Sequence, residues 1–464
     1  MGVRTLVKKE LPVTAGQEVE LPVDGVSHNG SGVGRYNGFT VFVPRSIPGE
    51  TVRARVTEIK KNFAEAVLLE VLQPSPRRVV PGCPVFSACG GSHLQHMTYD
   101  LQLEVKTRQV ADALKRIGKL RDIPVHPAIG MENPWHYRNK AQFQVTRVKG
   151  KIKLGFFEEE SHRVVPTTDC LLLDRQIDDV AVMTEKLLNK YNLTVYDREN
   201  NTGLLRHVVI RKGWYTGKVM VVLVTTSEKF PEQFLLAREF TAKTPYIVSV
   251  VRNINVDAKG PVFGKDSVLL AGRETIPEQI GDLKFLISPT SFFQVNPRQV
   301  TVLYDKVMEN AALTGRETVL DVYCGIGTIT LFLARRAART FGLEVNPEAV
   351  EDAAANARLN GISNVEFISG RAEERLPKLI KQGIRPDVVV VDPPRKGVDK
   401  RALQAIADME PQRIVYVSCD PASMARDLEF FSHRDYRTVE VQPVDMFPQT
   451  YHVETVILLQ NMKH

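Results

Sequence analysis

At 464 residues the chain is too long for one hydrophobic core and predicts two to four domains. Its hydrophobic share of 43% is ordinary for a globular protein, and its apolar runs, such as residues 219–224 and 388–391, fall far short of the ~20 residues of a membrane span. The net charge of +7 is concentrated: residues 76–165 hold fifteen Lys/Arg against eight Asp/Glu, and a basic surface of that kind suits a polyanion better than a small metabolite.

The chain opens MGVRTLVKKELPV, with no apolar stretch of the kind an export signal needs, so a cytoplasmic setting is expected. Short alternating strands follow, broken by turn signals at Asp24–Gly25, Asn29–Gly30, Asn37–Gly38 and Pro48–Gly49. That spacing predicts a small antiparallel β-barrel over residues 1–74, a module that binds RNA in some proteins and is purely structural in others. Residues 75–282 mix strands and helices into an α+β unit. Within it, residues 101–117 predict an amphipathic helix that packs on the last domain, with Leu103, Val110, Leu114 and Ile117 at helical spacing. The segment WHYRNKAQFQVTRVKGKIKLGFF predicts a hairpin with basic residues beside aromatics. Lys106–Lys153, with Arg138, Lys140 and Lys149, is the expected phosphate-gripping surface. Over residues 283–464 the runs TVLDVY, RTFGLEV, DVVVVD and RIVYVS alternate with helical stretches. This predicts an α/β doubly wound sheet with its ligands at the carboxyl ends of the strands.

The chemistry-bearing motifs fall at those strand ends. In DVYCGIGT, Gly325 and Gly327 let the backbone turn sharply beside a ligand, and Glu344 closes the next strand where an acid can bind ribose hydroxyls. The third glycine of a dinucleotide loop is missing, and the D-x-x-x-G-x-G form resembles the S-adenosylmethionine loop of class I methyltransferases. DPPR places Asp392 at a strand end, with Arg395 where amine methyltransferases carry an aromatic that stacks the base. Cys419 opens the loop after the next strand, in VSCDPASMARDL, and Glu454 stands in an apolar strand. A buried carboxylate there is costly unless it is paired or functional.

With SFFQVN (Ser291–Asn296), DVYCGIGT (Asp321–Thr328), Glu344, DPPR, SCDPASMARDL and HVET (His452–Thr455) in that order, the chain resembles the RNA (uracil-5-)-methyltransferases. It is most similar to the bacterial branch acting on 23S ribosomal RNA, whose dual-specificity Gram-positive members serve two loops. The resemblance implies a class I methyltransferase fold behind a TRAM-type RNA-binding barrel, S-adenosyl-L-methionine as methyl donor, and a base-flipping reaction at carbon 5 of uridine. It assigns Cys419 as the nucleophile that adds to carbon 6 and Glu454 as the base for the carbon 5 proton. Gln294, Tyr323, Thr328, Glu344 and Asp392 are assigned to the methyl-donor site, with Gln294 and Asp392 also reaching towards the uracil edge. The resemblance implies 23S RNA as the partner; no membrane association is expected, and a monomer is the working expectation.

The resemblance breaks at one place. The ribosomal branch holds an iron–sulfur cluster on four cysteines, and here Cys83, Cys89 and Cys170 are present while Ser92 takes the third position. A serine oxygen is a poor ligand for a soft iron site, so the absence of a cluster, or a labile one, is favoured over a stable four-iron form. Cys324 is read as packing. The competing functions are a transfer-RNA uracil-5-methyltransferase, a cytosine-5 enzyme, and an inert RNA-binding assembly factor. The intact Cys419 and Glu454 oppose the last. The front barrel and the cysteine segment favour ribosomal over transfer RNA.

Overall fold

A computed structural model describes residues 11–257 and 259–463; the first ten residues of the predicted barrel segment lie outside that range. Strands β1 (Glu18–Val26), β2 (Gly32–Tyr36), β3 (Phe39–Val43), β4 (Glu50–Ile59) and β5 (Phe63–Gln73) close a barrel in the order β1-β2-β3-β5-β4. Val19, Leu21 and Val23 fill its core while Glu18 and Glu20 face out, as the two-residue period of a strand requires. A Cβ on Gly34 would lie 2.3 Å from the Pro22 carbonyl oxygen, so only glycine lets β2 approach β1 this closely. Two expectations change. Asp24–Gly25 is no turn: it lies inside β1, where the register with β2 shifts between Val23 and Gly25, and a bulge absorbs the glycine. The barrel is also not wholly antiparallel, because β3 and β5 close it as a parallel pair.

Helix α1 (Tyr99–Arg116) follows the barrel's exit and bridges two units. Leu101 and Val105 in its first half pack with Ile47 of the barrel, whereas Val110, Ala113 and Leu114 enter the core of the C-terminal sheet. The middle unit is a seven-stranded sheet of β6 (Lys140–Val148), β7 (Lys151–Phe157), β8 (Val164–Pro166), β9 (Leu205–Lys212), β10 (Val219–Thr225), β11 (Ile247–Ile254) and β12 (Asp266–Gly272). Helices α2 (Arg175–Lys190) and α3 (Gln233–Lys243) cover one face through Ile177, Val180, Leu236 and Phe240. The other face, with Val209, Met220 and Val222, shares a core with the hairpin β13 (Ile276–Ile280) and β14 (Leu283–Ile287). A boundary between residues 282 and 283 would cut that hairpin at its turn.

The last unit runs α4 (Pro297–Ala311), β15 (Thr318–Val322), α5 (Thr328–Ala334), β16 (Arg339–Glu344), α6 (Pro347–Leu359), β17 (Val365–Ser369), α7 (Ala372–Lys381), β18 (Val388–Val391), α8 (Lys400–Asp408), β19 (Arg413–Ser418), α9 (Pro421–Ser432), β20 (Tyr436–Val444) and β21 (Glu454–Asn461). Its sheet is ordered β17-β16-β15-β18-β19-β21-β20, parallel except for β21, which runs antiparallel to both neighbours. The all-valine β18 shows why a doubly covered strand needs no polar alternation. Val388 and Val390 pack towards α4, and Val389 and Val391 towards α8. The strand order reverses at β15 and β18, so a crevice opens above their carboxyl ends. Among the described residues no helix is long and apolar enough to cross a membrane.

Candidate active site

The turn after β15 forms one wall of this crevice. Tyr323 sits at φ +71° and Gly325 at φ +55°, so the chain reverses within three residues of the strand, and Gly327 (φ +82°) caps α5. A Cβ at Gly327 would come within 3.2 Å of Ala353. Asp321 turns inward: one oxygen accepts from Thr330 Oγ1 at 2.6 Å, the other has no partner, and burial pushes the carboxyl up to about 7. Glu344, at the tip of β16, accepts from the backbone N–H groups of Gly325 (3.1 Å) and Asn346 (2.8 Å) and so locks the turn to the next strand. A glycine-bounded cradle beside an anchored acid fits the nucleoside of a methyl donor. Thr328 Oγ1 accepts from Tyr304 OH at 2.9 Å, which ties α5 to α4 at the start of the helix. Cys324 is buried beneath the turn.

The opposite wall carries the reactive groups. Ser418 pairs with Thr455 at the end of the antiparallel β19–β21 ladder, which brings the next residue, Cys419, close enough for the Glu454 charge to act on its thiol. Asp392 leaves the neighbouring β18, its N–H donating to Val322 O at 3.3 Å. Asp420 caps α9 by accepting from Ser423 N–H at 2.7 Å, and this fixes the loop that Cys419 opens. Two acids and a thiol therefore share one corner. Burial raises Glu454 well above the carboxylate range, and the nearby Asp392 raises it further. Asp392 itself rises to about 6 through burial. The Cys419 thiol is pushed up to about 12, first by burial and then by the charges of Glu454 and Asp392. Arg395 opposes both effects from the loop after β18. Its guanidinium also donates to His452 Nε2 (3.3 Å), an imidazole held neutral by burial and by that same cation. Gln294 is buried in the segment between β14 and α4, where its backbone carbonyl accepts from Asn139 Nδ2 at 3.3 Å.

The segment between β20 and β21, which delivers His452 and Glu454, is lashed down from outside the sheet. Lys106 and Asp445, both fully buried, pair at 2.5 Å, and Lys106 also donates to Phe447 O at 3.0 Å. Tyr99 OH donates to the other Asp445 oxygen at 2.9 Å, and the side-chain amides of Gln102 and Gln449 meet at 2.9 Å. Lys106, expected on a phosphate-gripping face, is thus an internal partner. Removing either member of such a pair leaves an uncompensated charge, at a cost of about 3–5 kcal/mol. Lys149 also parts from the expected cluster. It lies in the β6–β7 turn, roughly 30 Å along β6 from Lys140 at the usual rise per residue.

Cys83, Cys89 and Cys170 do meet, on the wall of one cavity of about 470 Å³. The fourth corner does not suit iron. Ser92 Oγ accepts from Gln95 Nε2 at 2.7 Å, and Gln95 Oε1 accepts from Cys83 N–H at 3.2 Å, so an amide relay stands where a thiolate would be needed. Among the described residues no group of three His, Cys, Asp or Glu is arranged to hold a metal ion. The residues present do not fit a four-thiolate cluster.

Residues 267–462 match the family model described as tRNA (uracil-5-)-methyltransferase, and residues 12–69 match the TRAM domain. An uncharacterized RNA methyltransferase of Halalkalibacterium halodurans is 46% identical over 98% of this chain and 99% of its own. Another, of Clostridium tetani, is 45% identical over 98% of each. Among solved structures, the Pyrococcus abyssi tRNA (uracil-54, C5)-methyltransferase in complex with S-adenosyl-L-homocysteine superposes with a TM-score of 0.75. It is 29% identical and covers 95% of this chain and 100% of the other.

Proposed function

Because the chain belongs to the RNA uracil-5-methyltransferase family, with S-adenosyl-L-methionine as its methyl donor, we propose that it methylates carbon 5 of uridine in 23S ribosomal RNA through Cys419 and Glu454. The observation that carries this reading is the β19–β21 ladder, whose end at Ser418 and Thr455 leaves a thiol and a buried carboxyl as neighbours at the carboxyl edge of the sheet. The donor supplies an electrophilic methyl group on a sulfonium. Carbon 5 of uracil is a weak nucleophile until the Cys419 sulfur bonds to carbon 6 and pushes electron density into the ring. Once carbon 5 has taken the methyl group, Glu454 accepts its proton, the sulfur–carbon 6 bond breaks, and the double bond and the thiolate are restored. Gln294 and Asp392 face the uracil edge, and Glu344 holds the donor's ribose.

Ribosomal RNA is supported by the sequence resemblance and by the cysteine segment. The barrel is weaker support than expected. The archaeal transfer-RNA enzyme covers 95% of this chain, too much to leave the whole barrel unmatched, so a front barrel does not separate the two substrates. Transfer RNA is therefore the second reading. Unmodified 23S and transfer-RNA transcripts given labelled donor should discriminate: label should enter 23S RNA as 5-methyluridine, and label in transfer RNA alone would overturn the ribosomal assignment.

Arg395 supplies a pH test. Attack requires the thiolate, so adduct formation should rise with pH as Cys419 loses its proton. Arg395 is the cation that lowers both Cys419 and Glu454. Arg395→Gln should therefore move the profile to higher pH and slow the reaction at pH 8, as read from carbon 5 tritium release between pH 6 and 10. An unshifted profile would remove Arg395 from this role.

A further inference from the structure

We propose that the cavity bearing Cys83, Cys89 and Cys170 receives a nucleotide of the RNA substrate that flanks the uridine entering the active site. This deepens the RNA-methyltransferase reading and rests on it. The cavity's chemistry is that of a nucleotide site rather than a metal site. Its volume of about 470 Å³ lies in the range of small-molecule pockets. Arg138 and Lys140 line it, and among the described residues neither pairs with a carboxylate within 4 Å. Other recessed cations are paired or hydrogen-bonded: Lys106 with Asp445, Lys212 with Asp174 and Arg78 with Glu50, while Arg206 and Arg252 donate to backbone carbonyls. Arg211, the partner of Lys140 in the β6–β9 ladder, adds a third positive charge with a buried nitrogen that has no acceptor. Burial and Arg211 together push the Lys140 ammonium down to about 7, the mark of a cation lacking its counter-ion. A phosphate would supply one.

The rim supplies a flat surface. Phe292 is 68% exposed between Ser291 and Phe293, which are both buried, and it borders the cavity that Gln142 also lines. An exposed ring can stack a base, and a lining amide can hydrogen-bond its edge. The location favours a neighbour of the target nucleotide. Phe292 and Val295 in the cavity wall flank Gln294, and Asn139 N–H donates to Val295 O at 2.9 Å. The cavity's other side, residues 89–94, is joined to the strap that delivers Glu454 by His93 N–H donating to Gln449 O at 2.9 Å. Cavity and active site are thus separated by two short backbone segments.

The three thiols are built-in reporters. The full-length protein would be alkylated with N-ethylmaleimide, alone and with saturating 23S RNA, transfer RNA or uridine monophosphate, and each cysteine quantified by mass spectrometry. The RNA that protects Cys419 should also protect Cys83, Cys89 and Cys170 severalfold, and uridine monophosphate should not. Protection of Cys419 without the cavity thiols would overturn the cavity assignment and leave the methyltransferase reading standing. Protection of none of the four by either RNA would overturn both. Equal protection by uridine monophosphate would assign the cavity to a free nucleotide instead and overturn the proposal. Independently, Lys140→Gln should raise KM for RNA about tenfold and reduce the salt slope of RNA binding by roughly one, while S-adenosylhomocysteine still binds. An unchanged slope would return Lys140 to a structural role.

Discussion

Replacing Cys419 by alanine should abolish methyl transfer, by roughly 10⁴-fold or more, as removing the nucleophile does in other covalent enzymes. No other thiol can substitute: Cys324 is buried under the donor turn, and the remaining three lie in a separate cavity. The decisive readout is RNA carrying 5-fluorouridine. Fluorine cannot leave carbon 5 as a proton does, so wild-type protein with donor should yield a complex that survives denaturation, and the alanine variant should yield none. S-adenosylhomocysteine should bind the variant normally, because the donor crevice is built from β15 and β16. An undiminished complex with Cys419→Ala would sink the mechanism.

Glu454→Gln separates the two halves of the reaction. The Glu454 charge is the leading cause, after burial, of the raised Cys419 thiol. Glutamine, like the neutral carboxyl that burial favours, places no charge beside the thiol, so the adduct should form at least as fast as in the wild type at pH 7.5. Release should then fall by about 10²–10⁴-fold, the usual worth of a positioned base. Methylated RNA should accumulate covalently on the protein without any fluorine, visible as a shifted band on a denaturing gel. Normal turnover would take the base role away from Glu454.

The placement of the turn after β15, Asp392, Cys419 and Glu454 at strand ends was legible because a doubly wound sheet brings contiguous motifs to its carboxyl edge. Their juxtaposition was not. Cys419 and Glu454 meet only through an antiparallel strand inserted beside a parallel one, and no local pattern announces that pairing. The Thr328 hydroxyl bonds to Tyr304 from another helix, a partner that the glycine turn does not announce. Lys106 misled. In sequence it is one more cation in a basic window, whereas in space it is neutralised by Asp445. Arg138 and Lys140 belong to the same window and, among the described residues, pair with no carboxylate, a difference that net charge cannot tell. Asp24–Gly25 carried a turn's residues but met a neighbouring strand already in register, and the glycine served a bulge.

The Lys106–Asp445 pair also sets a timetable. Its members are 339 residues apart, so on a ribosome adding about 5–20 residues per second α1 waits roughly 17–68 s for its acid to emerge. Throughout that interval the barrel and the middle sheet can complete their own cores, but Val110, Ala113 and Leu114 have nothing to cover them. The strap that carries Glu454 is synthesised long after α1 and finds its anchor already in place on that helix. Until the strap and the C-terminal sheet are made, a nascent chain presents an apolar helix face that a chaperone can hold.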